Sequence, residues 1–198
     1  MRITRAVLGA ALMGTAVMFA GCGESSASEN PAGPQEAAAG QAVTLTDGQI
    51  LGVLLVANAG EVMLSQVGQA QATDPTARDY NARMVTMHTE VIQRLEEVAM
   101  AQGMAPAESP VSQHLQETAK RTVDLLNGTP QGAMFDLSVM DAQVAAHSGT
   151  ALLGDSLLAP QVQNPALREE LMAVRKTVQG HLQEAANIQT TLWNAQSP

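Results

Sequence analysis

From residue 46 onward, apolar side chains return every three or four positions. That rhythm predicts long helices and no strands. The first long helix opens at Thr46, which stands three residues before Gln49 as in a capping box. Its seam reads Ile50, Leu54, Ala57, Glu61, Leu64 and Gly68. Asp74-Pro75 ends it and starts the second helix, with Asp74 as N-cap and Pro75 at the first helical position. There the seam is Val85, His88, Ile92, Leu95 and Ala99, and Gly103 stops the helix. Ser109-Pro110 repeats the cap-plus-proline signal and opens a shorter helix that reaches Asn127-Gly128, where glycine suits the C-cap. The third long helix follows Thr129-Pro130 and ends near Pro160, with the seam Leu137, Met140, Val144, His147 and Ala151. The fourth starts at Asn164-Pro165 and has the most regular register: Leu167, Leu171, Val174, Val178, His181, Ala185, Ile188 and Leu192.

Two long helices, a long connection carrying its own short helix, then two more long helices: this order predicts an all-α fold. Short links pair the first helix with the second and the third with the fourth, antiparallel. The connection between the pairs is long enough to cross the bundle, as in ferritin-like four-helix folds. Composition agrees. Two Phe, one Tyr and one Trp leave Ala, Leu, Val and eleven Met to fill the core, a set that favours helix over sheet.

Four polar residues interrupt the seams: Glu61, His88, His147 and His181, one on each long helix and each near its middle. In an up-down bundle, mid-helix positions meet at one level, so the four are expected to share one interior volume. A buried polar group without a partner costs about 1–3 kcal/mol, against a total stability of about 5–15 kcal/mol. Two arrangements would satisfy them. One is a single transition-metal ion, zinc, iron, copper or manganese, held by imidazole and carboxylate. The other is a metal-free network in which Glu61 accepts hydrogen bonds from the histidines, fixing helix pairing in a non-catalytic structural or interaction protein. No Glu-x-x-His occurs, because Val85, Val144 and Val178 stand three before the histidines; this points to one metal rather than a di-metal carboxylate centre. Glu184, three after His181, is a candidate fifth ligand or outer acceptor. His114 is assigned to solvent, Asp136 to the dipole of its helix start, and Met84 and Met87 to core packing.

The N-terminus reads as an export signal over residues 1–21: basic Arg2 and Arg5, then an apolar run from Ala6 to Phe19. It closes in Phe19-Ala20-Gly21-Cys22, an order resembling the lipobox of bacterial lipoproteins, with Cys22 as the lipidated residue. The lone cysteine excludes an internal disulfide. Residues 22–45, rich in Ser, Ala, Gly and Pro, read as a flexible tether to a domain over 46–195. Arg2 and Arg5 are two of ten basic residues; without them eight stand against nineteen acidic ones, a net charge of −11. Such a surface repels phosphate backbones, so nucleic acid is not an expected partner. The expected partner is the membrane, through the lipid. The expected location is the periplasmic face of the outer membrane, with a soluble periplasmic form as the alternative.

The chain resembles the DUF4142 family of bacterial envelope proteins, a ferritin-like group without an assigned activity. The resemblance spans residues 46–192. It rests on Ala59-Gly60-Glu61, on Met84-Val85-Thr86-Met87-His88-Thr89, on Met134-Phe135-Asp136 through His147, and on His181 to Ala185. It implies the fold and the envelope location rather than a reaction. The acidic residue that often precedes the second-helix histidine in the family is Met87 here, which implies a carboxylate-poor centre.

Overall fold

A computed structural model describes residues 43–196. The expected export signal, Cys22 and the expected tether up to residue 42 lie outside the described residues. Five α-helices follow in order: α1 (Asp47–Gln71), α2 (Pro75–Gln102), α3 (Pro110–Asn127), α4 (Ala133–Leu153) and α5 (Pro165–Gln196). No strand occurs among the described residues. Thr46 and Gln49 form the capping box, Asp74 accepts from the Ala77 amide as N-cap, and Gly103 ends α2 in the left-handed conformation at φ 60°.

Hydrogen bonds between distant segments fix the direction of each helix. Ala107 N–H donates to the Gly48 carbonyl at 2.8 Å, so α2 ends where α1 begins. Gln71 bonds Asn127, so α3 runs back alongside α1 to its far end. The Gln163 and Asn164 amides donate to Asp47 at 2.8 and 2.9 Å, placing the start of α5 beside the start of α1. Helices α1, α3 and α5 therefore run one way and α2 and α4 the other. α1 pairs with α2, and α4 with α5, as expected, and α3 spans the crossover, packed mainly on α1. Glycine makes the crossover fit: a Cβ at Gly52 would sit 2.2 Å from the Ala107 carbonyl oxygen.

The structure departs from the sequence pattern in several places. Leu45, placed in the tether by composition, is buried, and its amide donates to Gln161 at 2.8 Å. α4 starts at Ala133 behind Gly132 (φ 126°), three residues after Pro130. Its end widens into a π-helical turn at Gly154–Leu158 before the chain reaches Pro160. Gly128 closes α3 at φ −84°, so its glycine freedom is unused. Asp136 does more than favour a helix dipole. It is buried and accepts from the Thr73 amide (2.7 Å), the Thr73 hydroxyl (2.5 Å) and the Asp74 amide (2.9 Å), tying α4 to the α1–α2 turn. α1 has the length and hydropathy of a membrane span. Its Ile50, Leu51, Val53 and Leu54 are instead buried in the bundle core.

Every expected seam position of α5 from Leu167 to Ile188 is buried. In the other long helices the seam shifts by one residue at the level of the site. Asn58 is buried where Ala57 was expected, Gln143 where Val144 was, and Met84 and Val91 where Val85 and Ile92 were. Two of those shifts bring polar side chains inward.

Candidate metal centre

His88 on α2, His147 on α4 and His181 on α5 meet between the two halves of the core. They are 2, 0 and 6% exposed. Their ring centroids form a near-equilateral triangle with sides of 5.4, 5.3 and 5.3 Å, each pair edge to face. One nitrogen from each ring lies within 4.8 Å of the others, so the three buried histidines stand close enough together to hold a metal ion.

The hydrogen bonds around the rings fix where the lone pairs point. His88 Nδ1 lies 2.8 Å from Asn58 Oδ1. The Asn58 amide nitrogen donates to the Leu54 carbonyl at 2.7 Å, so its oxygen faces the ring and can only accept. His88 Nδ1 therefore carries the proton. His147 Nδ1 lies 2.9 Å from the Gln143 carbonyl, another pure acceptor, and carries its proton too. In both neutral rings Nε2 is then an unprotonated lone pair. These two Nε2 atoms face each other at 3.4 Å. With no proton between them they repel. Two nitrogens bound at about 2.0–2.1 Å to a tetrahedral ion would lie about 3.3–3.4 Å apart. Both ring nitrogens of His181 lack a hydrogen-bond partner in the protein, and its backbone carbonyl accepts from the buried Tyr80 hydroxyl at 3.2 Å.

Burial keeps the rings neutral. It pushes His88 down to about 3, with the neighbouring His147 and His181 adding to the effect. His147 is lowered to about 4, mainly by burial, partly offset by its bond to Gln143 and aided by His181. His181 is lowered, also chiefly by burial. Neutral imidazoles with Nδ1–H tied to oxygen acceptors are the form in which histidine binds metal.

Glu61, expected as a fourth ligand, stands beside this cluster. Its Oε1 is 3.8 Å from Nδ1 of His147, not from the Nε2 that meets His88. Neither carboxyl oxygen has a hydrogen-bond partner in the protein, so the expected network with Glu61 as acceptor does not form. Burial raises its pKa to about 8, and the carboxyl is mostly protonated at neutral pH. Glu184, the candidate fifth ligand, pairs with Arg83 at the surface. Three residues beyond His181, the helix has already turned it outward. His114 is exposed on α3, as assigned.

Two contributors escape the seam pattern: Asn58 and Gln143. Besides its carbonyl, Gln143 donates through its side chain to Ser65 (2.9 Å) and Asn81 (2.8 Å). Asn81 fits only because residue 68 is glycine; a Cβ there would come within 2.3 Å of its amide. The available signal was a polar residue one turn before Glu61 and one turn before His147, on nearly the same face.

A model of the family described as "Domain of unknown function (DUF4142)" matches residues 32–188. No curated protein and no solved structure matches the chain.

Proposed function

Because the chain belongs to the DUF4142 family, whose description assigns no activity, we propose its function from the site itself: binding one transition-metal ion through Nε2 of His88 and His147 and a ring nitrogen of His181. The observation that carries this reading is the 3.4 Å approach of two Nε2 lone pairs whose rings are held by Nδ1–H bonds. A cation between them turns a repulsion into two bonds. An all-imidazole set favours zinc or copper, with iron next and manganese, which prefers oxygen, last. Three protein nitrogens also leave a tetrahedral ion one position for an exogenous ligand. Asn58 and Gln143 act as outer partners that hold tautomer and ring orientation.

The location proposed with this function is the cell envelope, on a lipid anchor at Cys22. It is supported by the order of basic start, apolar run, small residues and cysteine at the N-terminus. There the protein would sequester or buffer the ion, or serve a stress-related redox role if the ion is copper or iron. The test is elemental analysis of chain purified without a histidine tag, followed by zinc and copper titration. The expected result is one ion per chain, with affinity reduced more than about a hundredfold in His147→Ala, beyond the ten- to hundredfold typical of outer partners. Unchanged affinity in that variant, or no stoichiometric binding, would refute the reading.

A further inference from the structure

A second site lies where α3 crosses the bundle. Between α1, α3 and α4 runs a cleft of about 240 Å³, walled by Val56, Ala57, Leu64, Leu115, Ala142 and Ala146 among others. It exists because α3 closes tightly on α1, where a Cβ at Gly60 would sit 2.9 Å from that of Ala119, but packs much more loosely against α4. The exposed Ala145 and Gly149 of α4 mark the mouth. The lining offers a ligand few polar partners. Glu61 reaches it, but both carboxyl oxygens are inaccessible. The Thr122 hydroxyl already donates to the Thr118 carbonyl at 3.0 Å. The cleft is therefore suited to an apolar chain, held by the removal of that chain and these walls from water.

One charged group stands at the rim. Arg121 Nη2 donates to the Oγ1 of Thr118, a lining residue, at 3.3 Å. Among the described residues Arg121 forms no ion pair, although Glu117 stands one turn before it and acids outnumber bases nineteen to ten. Its neighbour Lys120, by contrast, is held by Asp124. A guanidinium presents a planar fork of donors that matches a carboxylate. We propose that this cleft binds a medium-chain fatty carboxylate, its tail between α3 and α4 and its carboxylate on Arg121. At about 30 Å³ per water-sized group, the volume holds roughly eight such groups, which suits a tail of about seven carbons. The net charge of −9 works against an anion, so preference for one has to come from Arg121. This site is independent of the metal reading.

The test is calorimetric titration of the full chain, treated with chelator and dialysed, with n-octanoate, n-hexanoate, n-octanol and n-octylammonium. Octanoate should saturate at one per chain. Hexanoate should bind about tenfold more weakly for its two missing methylenes, and octanol about threefold to tenfold more weakly for the lost ion pair. Octylammonium should be weaker than octanol, the reverse of what net charge alone would give. Arg121→Gln should bring octanoate down to the level of octanol and leave octanol unchanged. Gly149→Leu adds a side chain at the mouth, where a Cβ meets nothing within 4 Å, and should weaken both without disturbing the fold. No saturable octanoate binding, hexanoate equal to octanoate, octylammonium equal to or tighter than octanoate, or an octanoate affinity untouched by Arg121→Gln would overturn the proposal. Metal stoichiometry of both variants, measured alongside, separates failure here from failure of the histidine site.

Discussion

The two halves of the bundle are built differently. In one, Ile50, Leu51, Val53 and Leu54 of α1 pack with Leu95 of α2 and with Leu167, Leu171 and Val174 of α5. The polar side chains buried at that end are Ser109 and Ser112, which cap α3 by bonding each other. In the other half, Tyr80, Met84, Phe135 and Met140 share the interior with Ser65, Asn81 and Gln143. The histidines lie where the halves meet. An apolar half supplies stability through burial alone. A half that also buries amides and a hydroxyl gains less from burial, and here its polar groups lead through Gln143 to a ring nitrogen. Stability and site chemistry are thus divided along the helix axes.

The largest effect that separates the halves is a cavity in the apolar one. Leu95→Ala should cost about 2–5 kcal/mol by denaturant unfolding and leave metal affinity unchanged. A parallel loss of metal would show that the halves are not separable. Asn58→Ala sharpens the comparison from the other side. It frees the His88 tautomer and should weaken metal binding about ten- to hundredfold, with little loss in unfolding free energy of the metal-loaded chain beyond that linkage.

A smaller effect comes from pH in the metal-free protein. His88 and His147 take up protons near 3 and 4 when folded and near 6.5 when unfolded. Below 6.5 the unfolded state binds more protons, and stability falls as pH drops. Glu61 acts in the opposite direction. It ionises near 4.5 unfolded and near 8 folded, so its contribution is lost as pH rises between those values. With the histidines dominating the acid side, stability should peak near pH 6.5 and decline toward pH 8 by about 1.4 kcal/mol per unit. Glu61→Gln should flatten the alkaline limb and steepen the acid limb between about pH 4.5 and 6.5, where the opposing slope of Glu61 is removed. An alkaline decline that survives the substitution would assign it elsewhere.

Helix order, caps and the three histidines were legible because each rests on local chemistry: Thr46 with Gln49, Asp74 with Pro75, and a polar residue on an apolar seam. The roles of Glu61, Asn58 and Gln143 were not. A one-residue shift in seam register exchanges Ala57 for Asn58 and Val144 for Gln143, and only packing between helices sets that shift. For the same reason Glu61 reached the correct level of the bundle but met the other nitrogen of His147. Asp136 was misread because its partners lie more than sixty residues away.

The most direct measurement of the central claim is long-range nitrogen–proton NMR of the histidine rings, before and after one equivalent of zinc. Without metal at pH 7, His88 and His147 should appear as neutral rings protonated at Nδ1. With zinc, their Nε2 resonances and one nitrogen of His181 should move to metal-bound positions while both Nδ1 protons remain. Rings protonated at Nε2, or Nε2 resonances that ignore the metal, would contradict the account.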